Sequence, residues 1–303
     1  MSLEISLAGP ERADEVVHTI HAAFEARPAL DPPAPALDET ADSVGKALAE
    51  HGGLVAELHG RVIGSLLLEP RERLLALRRV GVLPDERHHG VAAALAGHAE
   101  DLARERGFDG LVLEARAELP GTVRFWQLMG YVEIDREGPH LAMLKLLPHG
   151  RRLPTAEDTR ALGERLAGVL GAGDLLILSG DLGAGKTTLA QGLGSALGVR
   201  GQITSPTFVI ARVHPSVTGG PALVHVDAYR LHGSAELDDL DLDTDLDDAV
   251  TVVEWGSGLA EALAADRLEL RLERAADDVR TATLTPVGRR WLGVDLRPLL
   301  GLA

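Results

Sequence analysis

Apolar positions in the first half of the chain follow the periods of helices and strands in turn. From about Glu11 they return every three or four residues, which predicts an amphipathic helix. A second helix is predicted from about Gly90 to Arg106, because Gly107 is a suitable C-terminal cap. Short apolar or alternating segments predict strands. These strands are predicted at 3–7, 54–58, 62–68, 78–82, 111–113 and 141–146, with a short helix at 122–129.

The second half alternates strands and helices after a polar segment with a proline at each end. Thr155 and Asp158 have the spacing of a capping box, which predicts a helix that continues to about Leu170. A buried parallel strand is predicted at 175–178, directly before a glycine-rich segment, and a helix at 186–197. Further strands are predicted at 208–213, 222–226, 250–253 and 268–272. The alternation predicts an α/β fold with a mainly parallel sheet.

The length adds a domain division to this pattern. A chain of 303 residues is too long for one typical hydrophobic core and suits two domains. We predict domains at 1–148 and 155–303. The segment 149–154 is interpreted as the linker, because its polar residues and flanking prolines break helices and strands.

Cysteine usage and apolar run length restrict the class of protein. The chain has no cysteine, which excludes disulfides, thiolate zinc sites and a cysteine nucleophile. No apolar run approaches the roughly 20 residues that a membrane helix needs. The first ten residues lack the pattern of a secretion signal, so a cytoplasmic location without membrane association is expected.

The acidic charge argues against direct binding of nucleic acid. The net charge is −16, and both halves contribute to it, with 15 basic against 24 acidic side chains in 1–150 and 15 against 22 in 151–303. An acidic surface repels phosphate backbones. Contact with RNA is therefore expected only through partner proteins.

The segment 180–187 matches the phosphate-binding pattern G-x-x-x-x-G-K-[ST]. A predicted strand enters it and a predicted helix leaves it. Glycines let backbone N–H groups surround a phosphate, and the helix N-terminus adds its dipole. Lys186 is one of only three lysines, would reach the terminal phosphates and is expected to act in catalysis, while Thr187 would offer its hydroxyl to Mg²⁺.

Two acidic side chains close predicted strands near this loop. Asp227 ends the strand at 222–226, and Glu254 ends the strand at 250–253. Because the carboxyl ends of parallel strands share one edge of a sheet, both are expected to converge on the loop. Asp227 could orient Mg²⁺, and Glu254 could hold the metal or position the attacking water. The acidic run 236–243 lacks the glycine and the closing glutamate of a calcium loop and is interpreted as a solvated face.

Four segments, in order and spacing, resemble the TsaE (YjeE) family over essentially all of 155–303: 180–188, 205–208, 225–230 and 254–255. The resemblance implies a phosphate-binding-loop NTPase fold and an ATPase with Mg²⁺ at Thr187 and Glu254, with Asp227 in support. It implies a TsaD–TsaB-type partner complex, which places a threonylcarbamoyl group on tRNA. The nucleotide-binding residues that it implies are Gly180, Asp181, Leu182, Gly183, Ala184, Gly185, Lys186, Thr187, Thr188, Thr207 and Trp255.

The first half resembles the GNAT acetyltransferases, which have an α+β fold. Arg87, Gly90 and Ala92 fit the family's pattern [RQ]-x-x-G-x-[GA], and 124–131 resembles its closing helix and glycine. A helix start at Gly90 would present free N–H groups to a pyrophosphate. The resemblance implies that these three residues bind acetyl-CoA.

The catalytic groups of this half do not follow the pattern of many family members. Trp126 stands where many have the tyrosine that protonates the thiolate, and Leu119 stands where many have an asparagine. Glu114, His89 and His140 are candidate bases. A working N-acetyltransferase, a CoA-binding regulator and a structural appendage all stay open.

Four functions compete for the whole chain. The first is an ATPase accessory to tRNA threonylcarbamoylation, fused to a GNAT-like domain. The second is an N-acetyltransferase that the nucleotide-binding half regulates, against which Trp126 and Leu119 count. The third is a small-molecule kinase, which would need an arginine-bearing lid over the phosphates, whereas the arginines after the loop are scattered, with Arg212 and Arg230 nearest. A GTPase is excluded, because the N-K-x-D guanine motif is absent. The fourth is a non-enzymatic scaffold that senses nucleotide and CoA. ATP turnover with and without the partner complex would separate them.

Overall fold

The computed structural model describes residues 3–206, 210–230 and 247–301. The chain divides into two compact units, 1–147 and 148–303. No helix within the described ranges is both long enough and apolar enough to cross a membrane. Each unit is built on a sheet of seven strands.

The first unit has four α-helices and seven strands over its described residues. They are β1 (Glu4–Ala8), α1 (Ala13–Glu25), α2 (Ala41–His51), β2 (Gly53–Leu58), β3 (Arg61–Arg71), β4 (Leu74–Val82), α3 (Val91–Glu105), β5 (Gly110–Arg116), α4 (Pro120–Leu128), β6 (Val132–Glu137) and β7 (His140–Leu146). The strand order is β1-β2-β3-β4-β5-β7-β6. All neighbours are antiparallel except the parallel pair β4–β5.

Apolar side chains bury both faces of this sheet. Val62 and Ile63 follow each other on β3 but belong to different core clusters, as the alternation of a strand requires. Val62 packs in the cluster of α1 and α2, which contains Ile20 and Val44. Ile63 packs in the cluster of α3, which contains Leu95. The helices thus cover the sheet in two layers, which agrees with the expected α+β fold.

Strands β4 and β5 separate at one end of the first sheet. Their ladder runs only from Leu74 opposite Gly110 to Leu77 opposite Leu113, although β4 continues to Val82. The parting of two parallel neighbours leaves backbone and side chains of both strands free to line a cavity. This geometry positions the candidate cofactor site of the first unit.

The second unit has two α-helices and seven strands over its described residues. They are β8 (His149–Leu153), α5 (Ala156–Leu166), β9 (Leu175–Ser179), α6 (Lys186–Leu197), β10 (Ala211–His214), β11 (Ala222–Asp227), β12 (Ala249–Glu254), β13 (Arg267–Arg274) and β14 (Arg280–Val287). The strand order is β10-β11-β12-β9-β13-β14-β8. Thr155 caps α5, and its hydroxyl accepts from the N–H of Asp158 in a complete capping box.

Two predictions about this unit need correction. The sheet is mixed and not mainly parallel: β11, β12, β9 and β13 form a parallel centre, and β10, β14 and β8 add three antiparallel pairings. The interpretation of 149–154 as a linker is also wrong, because 149–153 is strand β8, which pairs with β14. An edge strand needs a partner along one side only, so its side chains can stay polar.

Helices α5 and α6 pack at very short range. A Cβ atom added at Gly163 of α5 would lie 2.1 Å from the carbonyl oxygen of Leu189 on α6. The absent side chain therefore lets the two backbones touch. Because α6 begins directly after the glycine-rich loop, this contact fixes the helix end that faces the site.

Candidate functional site

The glycine-rich loop 180–185 connects β9 to α6 at the carboxyl edge of the second sheet. Gly180 has φ +134° and its Cβ would lie 2.1 Å from the carbonyl oxygen of Leu272 on β13, so only glycine fits there. Gly183 and Gly185 also have positive φ angles. Leu182 is 89% exposed. The loop therefore turns tightly against the sheet and then enters the helix.

Lys186 begins α6 with its ammonium folded under the loop. The side chain is 5% exposed, and Nζ donates to the carbonyl oxygens of Gly180 at 2.7 Å and Asp181 at 3.1 Å. Nζ also lies 3.7 Å from the ring centre of Trp255. Burial lowers the pKa of Lys186, and the charges of Glu254, Asp227 and Asp181 oppose that shift. The cation is thus held by neutral oxygens and an aromatic face.

The parallel register of β11 and β12 places Asp227 opposite Glu254. The Thr187 hydroxyl donates to Glu254, 3.0 Å from Oε1 and 3.3 Å from Oε2. Asp227 accepts from the Ser205 hydroxyl at 2.8 Å and from the N–H of Tyr229 at 3.1 Å. The structure thus places both carboxylates at the strand ends beside the loop, as expected from the sequence.

Sequence reasoning gave no role to two other residues here. His225 is fully buried, with Nε2 2.9 Å from Oε1 of Glu254. Tyr229 is exposed, and its ring centre lies 5.2 Å from that of Trp255. The position of His225 two residues before Asp227 was the available signal, because both then lie on one face of a strand.

Two sequence predictions concern residues outside the described ranges. Thr207 and the acidic run 236–243 lie outside the described residues. Among the described residues, no group of three or more His, Asp or Glu side chains comes together to hold a metal ion. The oxygen donors at the loop are one hydroxyl and two carboxylates, from Thr187, Glu254 and Asp227.

The first unit contains a cavity of about 880 Å³ where β4 and β5 part. Arg87, Gly90 and Ala92 line it, and Gly90, with φ +77°, is the N-cap of α3. Arg87 donates to the carbonyl oxygen of Ala23 at 2.9 Å. Arg27, also in the lining, has its pKa lowered to about 10 by burial and by the neighbouring Arg87. Two cations therefore lie near this helix start.

The structure separates the candidate bases of the first unit. Glu114 and His140 line the cavity, whereas His89 lies outside the lining and has Nδ1 3.6 Å from Oε2 of Glu86. Trp126 and Leu119 also line the cavity. An indole N–H cannot protonate a thiolate. Trp126 in this cavity therefore cannot act as the acid that a tyrosine supplies in many acetyltransferases.

The two units match different families of known proteins. Residues 153–282 match the family model "Threonylcarbamoyl adenosine biosynthesis protein TsaE", and 17–131 match "Acetyltransferase (GNAT) family". The tRNA threonylcarbamoyladenosine biosynthesis protein TsaE of Streptomyces coelicolor is 62% identical over 147 residues, which are 47% of this chain and 99% of that protein. The TsaE protein of Bacillus subtilis is 39% identical, over 46% of this chain and 87% of that protein.

A solved structure is similar to the first unit. It is the PaiA N-acetyltransferase of Thermoplasma acidophilum in complex with coenzyme A, at 16% identity and a TM-score of 0.44, over 48% of this chain and 100% of that one. The identity with the Streptomyces protein extends over almost its whole length. The chain therefore belongs to the TsaE family through its second unit, and residues 17–131 of its first unit match the GNAT family model.

Proposed function

We propose that the second unit is a phosphate-binding-loop NTPase in fold and an Mg²⁺-dependent ATPase in activity. In this proposal it serves tRNA threonylcarbamoyladenosine biosynthesis together with a TsaD–TsaB-type complex. The observation that carries the proposal is the convergence of Lys186, Thr187 and Glu254 beneath the glycine-rich loop. The names of the TsaE relatives support the pathway.

Lys186 is the group that recognises the terminal phosphates of ATP. Its ammonium donates to the carbonyl oxygens of Gly180 and Asp181, and phosphate oxygens are stronger acceptors for the same hydrogens. The N-terminus of α6 adds backbone N–H groups and a favourable dipole. Binding therefore exchanges two neutral acceptors for charged ones.

The oxygen donors here suit Mg²⁺ better than a metal ion that is coordinated entirely by protein side chains. Thr187, Glu254 and Asp227 offer hard oxygens, and Mg²⁺ is usually held by one or two carboxylates together with substrate phosphates. Bound Mg²⁺ would neutralise charge that develops on the phosphate oxygens. In this arrangement Glu254 holds the metal or orients the attacking water, and Asp227 supports the site from the next strand.

The contact with tRNA is proposed to be indirect. Both halves of the chain are acidic, and the net charge is −16. Lys and Arg clusters are the usual ligands of phosphate backbones. The cytoplasm, where tRNA is modified, is the proposed location.

ATP turnover tests the proposal directly. The purified protein is assayed with Mg²⁺, with a chelator, and with or without the TsaD–TsaB-type pair. Lys186→Ala should abolish turnover and weaken ATP binding, because it removes the point charge on the terminal phosphates. Lys46→Ala is the matched control, since Lys46 is an exposed lysine that pairs with Asp42. Parental turnover in Lys186→Ala would overturn the assignment.

For the first unit we propose acetyl-CoA binding with little acetyl transfer. Arg87 and Gly90 at the cavity support cofactor binding. Trp126 and Leu119 in the same cavity are the observation against efficient transfer, and against an N-acetyltransferase as the main function. Glu114 and His140 remain the candidate bases for any slow reaction.

A further inference from the structure

A buried histidine lies directly behind the carboxylate of Glu254. His225 is 0% exposed on β11, and its Nε2 lies 2.9 Å from Oε1 of Glu254 on β12. Glu254 is itself buried, at 2% exposure. A hydrogen bond between two buried polar groups on neighbouring strands fixes the position of both side chains.

The acceptor character of Glu254 assigns the tautomer of His225. An ionised carboxylate only accepts, so the proton of the imidazole lies on Nε2 and points at Oε1. Nδ1 is buried and has no hydrogen-bond partner among the described residues. A proton on Nδ1 would be an unsatisfied buried donor, so Nε2 is the nitrogen that donates here.

This bond makes the two oxygens of Glu254 unequal. Oε1 accepts from Nε2 of His225 at 2.9 Å and from the hydroxyl of Thr187 at 3.0 Å. Oε2 has only the longer contact of 3.3 Å with the same hydroxyl among the described residues. One oxygen is therefore fixed by the protein, and the other keeps most of its capacity to accept.

We propose that His225 is a positioning residue for ATP hydrolysis. It fixes Oε1 and so leaves Oε2 as the oxygen that meets Mg²⁺ or the attacking water. Side chains that hydrogen-bond to a metal ligand fix its orientation and increase the affinity for the metal. The inference rests on the proposed ATPase function, because it assigns His225 a part in that reaction.

Three substitutions at His225 and one control test the proposal. His225→Leu removes the donor, His225→Gln replaces Nε2–H with an amide N–H of similar reach, and His225→Asn has an amide that reaches only the position of Nδ1. His214→Leu is the control, since His214 is another buried histidine of the same sheet and bonds the carbonyl oxygen of Arg200. Thermal melts establish that each variant is folded.

The expected result separates positioning from folding. His225→Leu should lower kcat by about 10- to 100-fold and raise the Mg²⁺ concentration for half-maximal activity by about tenfold. Calorimetry should show unchanged ATP affinity without Mg²⁺ and a reduced gain in affinity on adding Mg²⁺. His225→Gln should recover most of the loss, His225→Asn should not, and His214→Leu should match the parent. Combining His225→Leu with Glu254→Gln should add little, because both act through one carboxylate.

Two outcomes overturn the role of His225. One is a folded His225→Leu with parental kcat and Mg²⁺ dependence, and the other is equal activity of the Gln and Asn variants. If His225→Leu does not fold, the Gln and Asn pair decides. The parent protein is measured first. If the parent shows no Mg²⁺-dependent ATP turnover, the proposed ATPase function is wrong, and the role of His225 in it is wrong as well.

Discussion

Glu254→Gln separates the chemical step from nucleotide binding. The substitution keeps the size of the side chain and one oxygen that can accept from Thr187 and His225, but it removes the negative charge. If the carboxylate acts mainly in the chemical step, turnover should fall by roughly 10² or more. That factor corresponds to about 2.7 kcal/mol of transition-state stabilisation. ATP affinity should change far less, because Lys186 and the loop supply most of the phosphate contacts.

The fold should survive this change. Glu254 accepts from two side chains, and hydrogen bonds to an ionised group exceed neutral ones by about 1 kcal/mol each. The loss of stability is therefore at most about 2 kcal/mol, and removal of a buried charge offsets part of it. A urea titration followed by circular dichroism measures this difference.

Steady-state ATPase assays and calorimetry together decide the outcome. Glu273→Gln is the control, because Glu273 is an exposed glutamate on β13 that pairs with Arg271. Equal losses in turnover and in Mg²⁺-dependent affinity would make Glu254 chiefly a metal-site residue. A parental rate in Glu254→Gln would refute the catalytic reasoning altogether.

Two further predictions concern the cofactor and the RNA. Gly90→Glu should abolish acetyl-CoA binding in calorimetry, because the new carboxylate repels the pyrophosphate at the start of α3. The control Gly97→Glu, which lies in open space on the same helix, should bind acetyl-CoA as the parent does. If the parent itself does not bind acetyl-CoA, the domain has the fold but no cofactor site. The isolated protein should bind tRNA no better than about micromolar in a filter assay at physiological salt, and tight, salt-steep binding would contradict the indirect route.

The loop and its carboxylates were accessible from the sequence because their signals are local. The pattern at 180–187 needs only the strand before it and the helix after it, and α6 spans Lys186–Leu197 as predicted. Asp227 and Glu254 end parallel strands, so their neighbourhood follows from the sheet. The spacing of His225 and Asp227 indicates only that both lie on one face of a strand, because the bond between His225 and Glu254 depends on the exact side-chain positions of two strands.

The elements that sequence reasoning missed are those with weak apolar patterns. Helix α2 buries little besides Val44 and Leu48, and it contains Gly45. Strand β6 is mostly exposed at the end of its sheet, so it lacks a continuous apolar face. Strand β14 was also missed, and its antiparallel pairings with β13 and β8, together with the pairing of β10 with β11, make the sheet mixed. Such elements are stabilised by their neighbours more than by their own residues.

The pairing of β8 with β14 determines where the second unit can be excised. Five residues, Arg280 to Leu284, are opposite Leu153 to His149 in this ladder. A recombinant fragment that starts at Thr155 would lose β8 and expose to solvent the backbone N–H and C=O groups of β14 that face β8. An open, unpaired strand recruits other chains and favours aggregation. A fragment that starts at Pro148 keeps this strand covered.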